Sequence, residues 1–322
     1  MLKSYNGGLS AMQYFTDTEK SMDLNEVNRA IESAFADHGR GLVQMPPKVY
    51  INLPEGDFRT MPAYLPSLSL AGVKIVNVHP GNPSCGLPTV MALTVILDIA
   101  TGMPVAIFNA TKLTDMRTGA AGAVAAKYLS PKKEIVLGLI GTGRQAGAQY
   151  QAISKELDIS EIKCWSRNSL HAEKFAQSIT AYSARSVSLE KACDCNVLVT
   201  TTPSRAPLVR SEWVKEGTHI NAIGADAPGK QELDPMLLKQ GLVFVDDMSQ
   251  AVHSGEVNVP ITKGLFAAED ITGTLGEVVI GMKRRGSLDQ VTIFDSTGLA
   301  IQDLAIAAIA MGKGQTTDLP FP

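Results

Sequence analysis

The chain has 322 residues, 45% hydrophobic and 19% charged, which excludes a disordered polymer and gives room for about two packed domains. A formal net charge of −3 supplies no broad basic field, so nucleic acid is not an expected partner. Four cysteines, Cys85, Cys164, Cys193 and Cys195, are too few and too irregular for a disulfide framework, and Cys193-Asp-Cys195 lacks the two-residue gap of a zinc pair. A reduced, cytoplasmic chain without structural metal is the expectation.

The opening MLKSYNGGLSAMQYF has no continuous apolar core followed by a small-residue cleavage site, so no secretory signal is expected, and Met12 is a second candidate start. After Asp23, an N-cap residue type, Val27, Ala30, Ile31, Ala34 and Phe35 recur at helical spacing until Gly39 and Gly41, predicting an amphipathic helix. β-like segments follow at 48–53, 57–64, 71–78, 89–98 and 104–109, separated by Pro and Gly. With no helical pattern between them they predict a mainly antiparallel sheet, and with the helix an α+β domain. The greasiest stretch, 86–108, is broken by Pro88, Asp98 and Pro104 and reads as two strands around a turn at 98–102, so no membrane span is expected.

Small residues dominate 111–129, which suits a helix packed very close to a neighbour. From there the rhythm changes. Strand 135–140, helix 144–157, strand 161–165, helix 168–179 and strands 196–200, 218–223, 242–246 and 291–294 alternate as in a doubly wound parallel sheet. The last helix, 299–311, is apolar on most faces, and the tail GKGQTTDLPFP is expected to be loose.

The motif Gly141-Thr-Gly143-Arg-Gln-Ala146 stands between the strand IVLGLI and a helix. Gly141 permits a tight turn, Gly143 lets the backbone approach a pyrophosphate, and the following helix offers its first amides. At the end of the next strand, where an acid normally holds the adenosine ribose, the chain reads Trp165-Ser166-Arg167-Asn168. Ser166 and Arg167 suit a 2′-phosphate, so NAD or NADP is expected with a lean to NADP; alternatively Arg167 is a surface charge at a strand end. Thr200 to Pro203 and Gly224 to Asp226 also end strands and are site candidates by topology.

Lys74 lies inside the apolar run Gly72 to Val78. It points to solvent if Val73 and Ile75 point inward; if it is itself buried, desolvation makes it an acid–base group near neutrality. Lys48 and Arg59 flank it on neighbouring strands, and three cations on one sheet face call for an anion such as a substrate carboxylate. Asp226, with no local partner in sequence, is either a loop cap or a second acid–base group. Arg117 and Thr118 either reach a phosphate or carboxylate or serve a salt bridge.

In order along the chain, QMPPKVY (44–50), FRTMP (58–62), VNVHPGNP (76–83), GLPTVMAL (86–93), RTGAAG (117–122), IGTGRQA (140–146), TTTPSR (200–205), GTHINAIGADAPGKQEL (217–233) and FDSTGLAIQD (294–303) resemble the ornithine cyclodeaminase/μ-crystallin family, and within it the archaeal-type alanine dehydrogenases. The resemblance implies an α/β fold in which a Rossmann doubly wound sheet, 119–298, is inserted between the segments 1–118 and 299–322 of an α+β substrate-binding and dimerisation domain, in a homodimer. It implies that Lys74 is the catalytic acid/base, Asp226 its carboxylate partner, and Lys48 and Arg59 contacts to a substrate carboxylate. It further implies cofactor contacts from Arg117, Thr118, Gln145, Ala146, Ser166, Arg167, Asn168, Ile223, Gly224, Ala225, Lys230 and Ser296, beside Gly141 and Gly143.

Ornithine cyclodeaminases carry Glu where this chain has Arg59, and an extra cation there opposes a second substrate ammonium. The expected activity is therefore reversible oxidative deamination of L-alanine to pyruvate and ammonia. Its rivals are ornithine cyclodeamination to proline and ammonia, reduction of a cyclic or N-alkyl imine, and a μ-crystallin-like protein that only binds NADPH. Ser166-Arg167, where those dehydrogenases carry an Asp that favours NAD, leaves either coenzyme open.

Overall fold

The computed structural model describes residues 11–321, and the first ten residues of the opening stretch lie outside them. The chain forms two compact units. One takes the described residues up to Ala30, then Leu42–Arg117 and the chain from Ala300 onward; the other takes Ile31–Gly41 and Thr118–Leu299. Among the described residues no helix is long and apolar enough to cross a membrane.

The first unit is built on a seven-stranded sheet in the order Gln315–Pro320, Ala11–Thr16, Pro104–Asn109, Val90–Leu97, Leu70–Val78, Gly56–Leu65, Val49–Leu53. Neighbours are antiparallel except Ala11–Thr16 with Pro104–Asn109. The tail is not loose: Gln315–Pro320 pairs along its whole length with Ala11–Thr16. Neither strand carries the alternating apolar signal of its neighbours, because both stand at or beside the sheet edge, where one strand can be mostly exposed. Phe15 nonetheless anchors the pair by stacking on Phe108, ring centroids 4.7 Å apart.

The register decides which side chains face the core. Met61, Lys74, Thr94 and Phe108 stand opposite one another in one row across four strands, and all four are buried. The next row, Val49, Thr60, Ile75 and Leu93, points the other way, with Val49 53%, Ile75 41% and Leu93 43% exposed. Lys74 therefore points inward and Ile75 outward, the reverse of the solvated alternative. The helix Ala300–Ala310 packs over the inner face, and its near-continuous apolar sequence follows from burial on almost all sides.

The second unit is an eight-stranded, all-parallel sheet in the order Gly273–Thr274, Leu242–Val245, Thr292–Asp295, His219–Ala222, Val197–Thr200, Glu134–Ile140, Asp158–Trp165, Ala184–Ser186. It is a Rossmann-like, doubly wound α/β fold. Its strands are buried on both faces: Leu137, Leu139, Val197 and Val199 serve one apolar cluster, Ile140, Leu198, Ile220 and Ile293 the other. Strand order reverses between Glu134–Ile140 and Val197–Thr200, which opens a crevice at their carboxyl ends.

Ile31–Gly41 groups with the parallel sheet, and the other breaks fall at Arg117/Thr118 and Leu299/Ala300. The amphipathic helix Leu24–Gly39 is long enough to serve both units, and its second half places Phe35 edge-on to Phe294, centroids 6.3 Å apart. The small residues of the helix Thr111–Leu129 do allow close packing: a Cβ on Gly119 would lie 2.4 Å from the Ala148 carbonyl oxygen. Gly119→Ala is expected to lower the urea midpoint, costing about 1–3 kcal/mol with little change in slope.

Candidate active site

The inner face of the seven-stranded sheet carries one group of candidate site residues. Lys74 is 1% exposed, and its Nζ donates to Asp303 Oδ1 at 2.9 Å. Arg117 Nε donates to the same oxygen at 3.0 Å, and Arg117 Nη1 to Gln302 Oε1 at 3.0 Å. Burial above all, then the Arg117 charge and more weakly Lys48, bring the Lys74 ammonium down from 10.5 to about 7, against the opposing pull of Asp303. An amine in that range exchanges its proton readily at neutral pH.

Arg59 stands on the same sheet face, opposite Tyr50 and Val76 and two residue pairs along from Met61 and Lys74. Its Nε donates to Asp57 Oδ1 at 2.8 Å and its guanidinium lies 5.0 Å from the centre of the Tyr50 ring, which fixes the fork. Lys48 is half-buried in the irregular segment before Val49–Leu53. The unit thus holds four of the cations singled out in the sequence, Lys48, Arg59, Lys74 and Arg117, with the carboxylates of Asp57 and Asp303. The surplus of positive charge suits a bound carboxylate.

Asp303 was not anticipated. Its signal is the one that marked Lys74: a lone charge in an apolar run, here LAIQDLAIAAIA, and each accounts for the burial of the other.

The second unit carries a cleft of about 1090 Å³ at the switch point, lined by the Gly141 to Gly143 loop, Trp165 to Asn168 and Thr201 to Arg205. Gly141 has φ +99°, and a Cβ there would meet Thr201 Oγ1 at 2.5 Å, so the turn admits glycine only. The helix Arg144–Ile153 begins at Gly143 with no side-chain cap, and a Cβ on Gly143 would meet open space. The N-terminal end of that helix thus stands at the cleft lining, the helix polarity that suits an anion. Ser166 is half-buried and Arg167 exposed at the cleft wall; Asn168 caps the helix Ser169–Ser178, its side chain accepting from Leu170 N at 3.0 Å. Ala146 is fully buried, which is why no larger residue fits between helix and sheet.

Thr200 to Thr202 and Ile223 to Ala225 end adjacent strands and are tied by a carboxylate that sequence reading missed. Buried Glu232 accepts from Thr200 Oγ1 at 2.8 Å, from Thr202 N and Oγ1 at 2.7 Å, and from Gly224 N at 2.9 Å. Burial raises its carboxyl while those bonds oppose the rise. Glu256, accepting from Leu233 N at 2.7 Å, is raised further by burial and by Glu232. Nothing in the local pattern around QEL separates such an acid from a surface one.

Asp226 does have a local partner, contrary to expectation. Lys230 folds back over the turn at Gly229, φ +80°, and pairs with it, reaching Gly224 O as well at 3.4 Å. Gln145 is half-buried on the first turn of Arg144–Ile153. Thr118 is buried, its carbonyl accepting from Gln149 Nε2 at 2.8 Å, and Ser296 is buried at the end of Thr292–Asp295, its N donating to Ala222 O at 3.0 Å.

The sequence profile of the ornithine cyclodeaminase/mu-crystallin family matches residues 9–315. An alanine dehydrogenase of Archaeoglobus fulgidus is 50% identical over 312 residues, covering 95% of this chain and 96% of that protein. A solved structure described as an archaeal alanine dehydrogenase dimer with bound NAD superposes with a TM-score of 0.90 at 47% identity, covering 96% of this chain and 98% of the other. The Δ(1)-pyrroline-2-carboxylate reductase of Thermococcus litoralis, solved with NADH and L-proline, has a TM-score of 0.90 at 31% identity, over 95% and 100% of the two chains.

The buried lysine has a measurable consequence. Between about pH 7 and 10.5 the unfolded chain holds a proton on Lys74 that the folded chain has released, so stability rises with pH across that window. Relative to Lys74→Met, the parent is expected to gain up to about 1.4 kcal/mol per pH unit there. Urea melts of both proteins across that window check it, and a flat difference would mean Lys74 titrates as in solution.

Proposed function

Because the chain belongs to the ornithine cyclodeaminase/mu-crystallin family, we propose that it is an NAD(P)-dependent L-alanine dehydrogenase. The observation that carries this is Lys74, a buried amine near neutrality on a face rich in cations. The Archaeoglobus fulgidus alanine dehydrogenase supports the choice of substrate, and so does Arg59, a cation where a substrate with a second ammonium would be repelled.

The loop at Gly141 to Gly143 and the uncapped helix behind it suit a dinucleotide pyrophosphate. A bound nicotinamide supplies the acceptor for the Cα hydride. Lys48 and Arg59 hold the substrate carboxylate, which fixes the orientation of Cα and makes the transfer effectively unimolecular. Lys74 Nζ takes a proton from the substrate nitrogen and, as water adds at Cα and ammonia departs, moves protons between them; Asp226 is assigned the companion acid–base role. In the reverse direction the same groups assist imine formation from pyruvate. Arg117, Thr118, Gln145, Ala146, Ile223 to Ala225, Lys230 and Ser296 are assigned to the coenzyme. Ser166 and Arg167 favour acceptance of the 2′-phosphate of NADP.

The row Val49, Ile75 and Leu93 exposes three large apolar side chains on one sheet face, and we assign it to a homodimer, the assembly described for the archaeal neighbour.

Nicotinamide absorbance followed with alanine, ornithine or buffer, each with NAD and with NADP, decides between the rivals. Alanine-dependent reduction is expected; proline formed from ornithine without net reduction would replace this assignment with cyclodeamination. Lys74→Ala should lower turnover by roughly 10²–10⁴-fold and leave coenzyme binding nearly intact. Arg167→Ala should weaken NADPH roughly tenfold in a fluorescence titration and leave NADH little changed.

A further inference from the structure

No step assigned above uses Asp303, although it is the acid in direct contact with the acid–base lysine. Its Oδ1 accepts from Lys74 Nζ at 2.9 Å and from Arg117 Nε at 3.0 Å. Oδ2 is buried without a hydrogen-bond partner. The neighbouring Gln302 holds Arg117 through a different nitrogen, Nη1, at 3.0 Å. Successive residues of the helix Ala300–Ala310 thus fix the guanidinium at two points, and one oxygen is shared between the two cations.

The charged groups that face Lys74 come from every element packed around it. Arg117 comes from the helix Thr111–Leu129 and Lys48 from the segment before Val49–Leu53. Arg59, with its partner Asp57, lies two residue pairs along the same sheet face. Asp303 comes from the C-terminal helix and is the negative group that touches Nζ.

We propose that Asp303 is a positioning residue for the acid–base lysine: it fixes Lys74 Nζ above the sheet and offsets Arg117 and Lys48, so that the amine exchanges its proton with bound substrate. This rests on the assignment of Lys74 as the acid–base group.

Without the Asp303 charge, Lys74 faces two cations alone and gives up its proton at lower pH. Alanine oxidation, which needs the neutral amine as base, should then rise at lower pH than in the parent. Pyruvate amination, which needs the ammonium as acid, should also begin to fall at lower pH.

The test uses the full chain labelled with ¹³Cε-lysine, the Lys74 resonance being identified by its loss in Lys74→Arg. Asp303→Asn, nearly isosteric, is expected to move the Lys74 midpoint down by roughly one unit or more, and the kcat/KM limb with it. Asp303→Glu keeps the charge but displaces the oxygen, so the midpoint returns toward the parent value while kcat falls by roughly tenfold or more. A Lys74 midpoint unmoved in Asp303→Asn overturns the proposal. If that variant does not fold, Asp303→Glu decides: a near-parental midpoint with lowered kcat supports the role, and unchanged kcat overturns it. A Lys74→Ala enzyme that keeps its turnover refutes the acid–base assignment itself. An inactive Lys74→Ala beside an unmoved midpoint refutes only the role of Asp303.

Discussion

Keeping a lysine ammonium out of water is the constraint around which the first unit is arranged. An isolated buried charge costs several kcal/mol, and here it is met by one carboxylate oxygen that also serves a buried arginine. The partners lie far apart in sequence: Lys74 on a central strand, Arg117 on the helix leading out of the unit, Asp303 on the helix that returns to it. The contact therefore forms only when three separate segments have come together, and topology and protonation chemistry become one requirement.

The second unit solves a different problem with the same economy of parts. Its parallel strands are mostly apolar on both faces, with His219 hydrogen-bonded to Asn221 and Thr292 within them, and the cleft lies at their carboxyl ends. Glu232 ties Thr200, Thr202 and Gly224 together, and Glu256 in turn accepts from the backbone amides of Glu232 itself and of Leu233. These acids hold the backbone of adjacent strand ends in fixed positions beside the cleft.

Much of this was legible in the sequence because burial leaves periodic traces. The five antiparallel segments from 48 to 109, the helix at 111–129 and the strand–glycine–helix turn at 141 all announced themselves by apolar spacing or by residues of limited conformational choice. What was hidden had no such trace. Ala11–Thr16 and Gln315–Pro320 are recognisable only as partners of each other. The short strands Arg205–Val209 and Gln231–Leu233 form their own two-stranded sheet and are too brief for periodicity to register. Lys74 stood out as a charge in an apolar run while its orientation did not, since a one-residue change of register exchanges the two faces. Asp303 carried the same mark, but only proximity links the two charges. The pairing of Asp226 with Lys230 depends on a left-handed turn at Gly229 that composition alone does not disclose.

The return of the chain at Ala300 also bears on how the molecule is made. The parallel-sheet unit draws mostly on one continuous stretch, Thr118–Leu299, and can assemble as soon as that stretch has emerged. The inner face of the antiparallel sheet stays uncovered until Ala300–Ala310 arrives, and its edge strand Ala11–Thr16 waits longer still for Gln315–Pro320. The part of the protein synthesised first is thus the last to close. A chain cut before Ala300 would leave the inner face of that sheet, with Lys74 at its centre, without its covering helix.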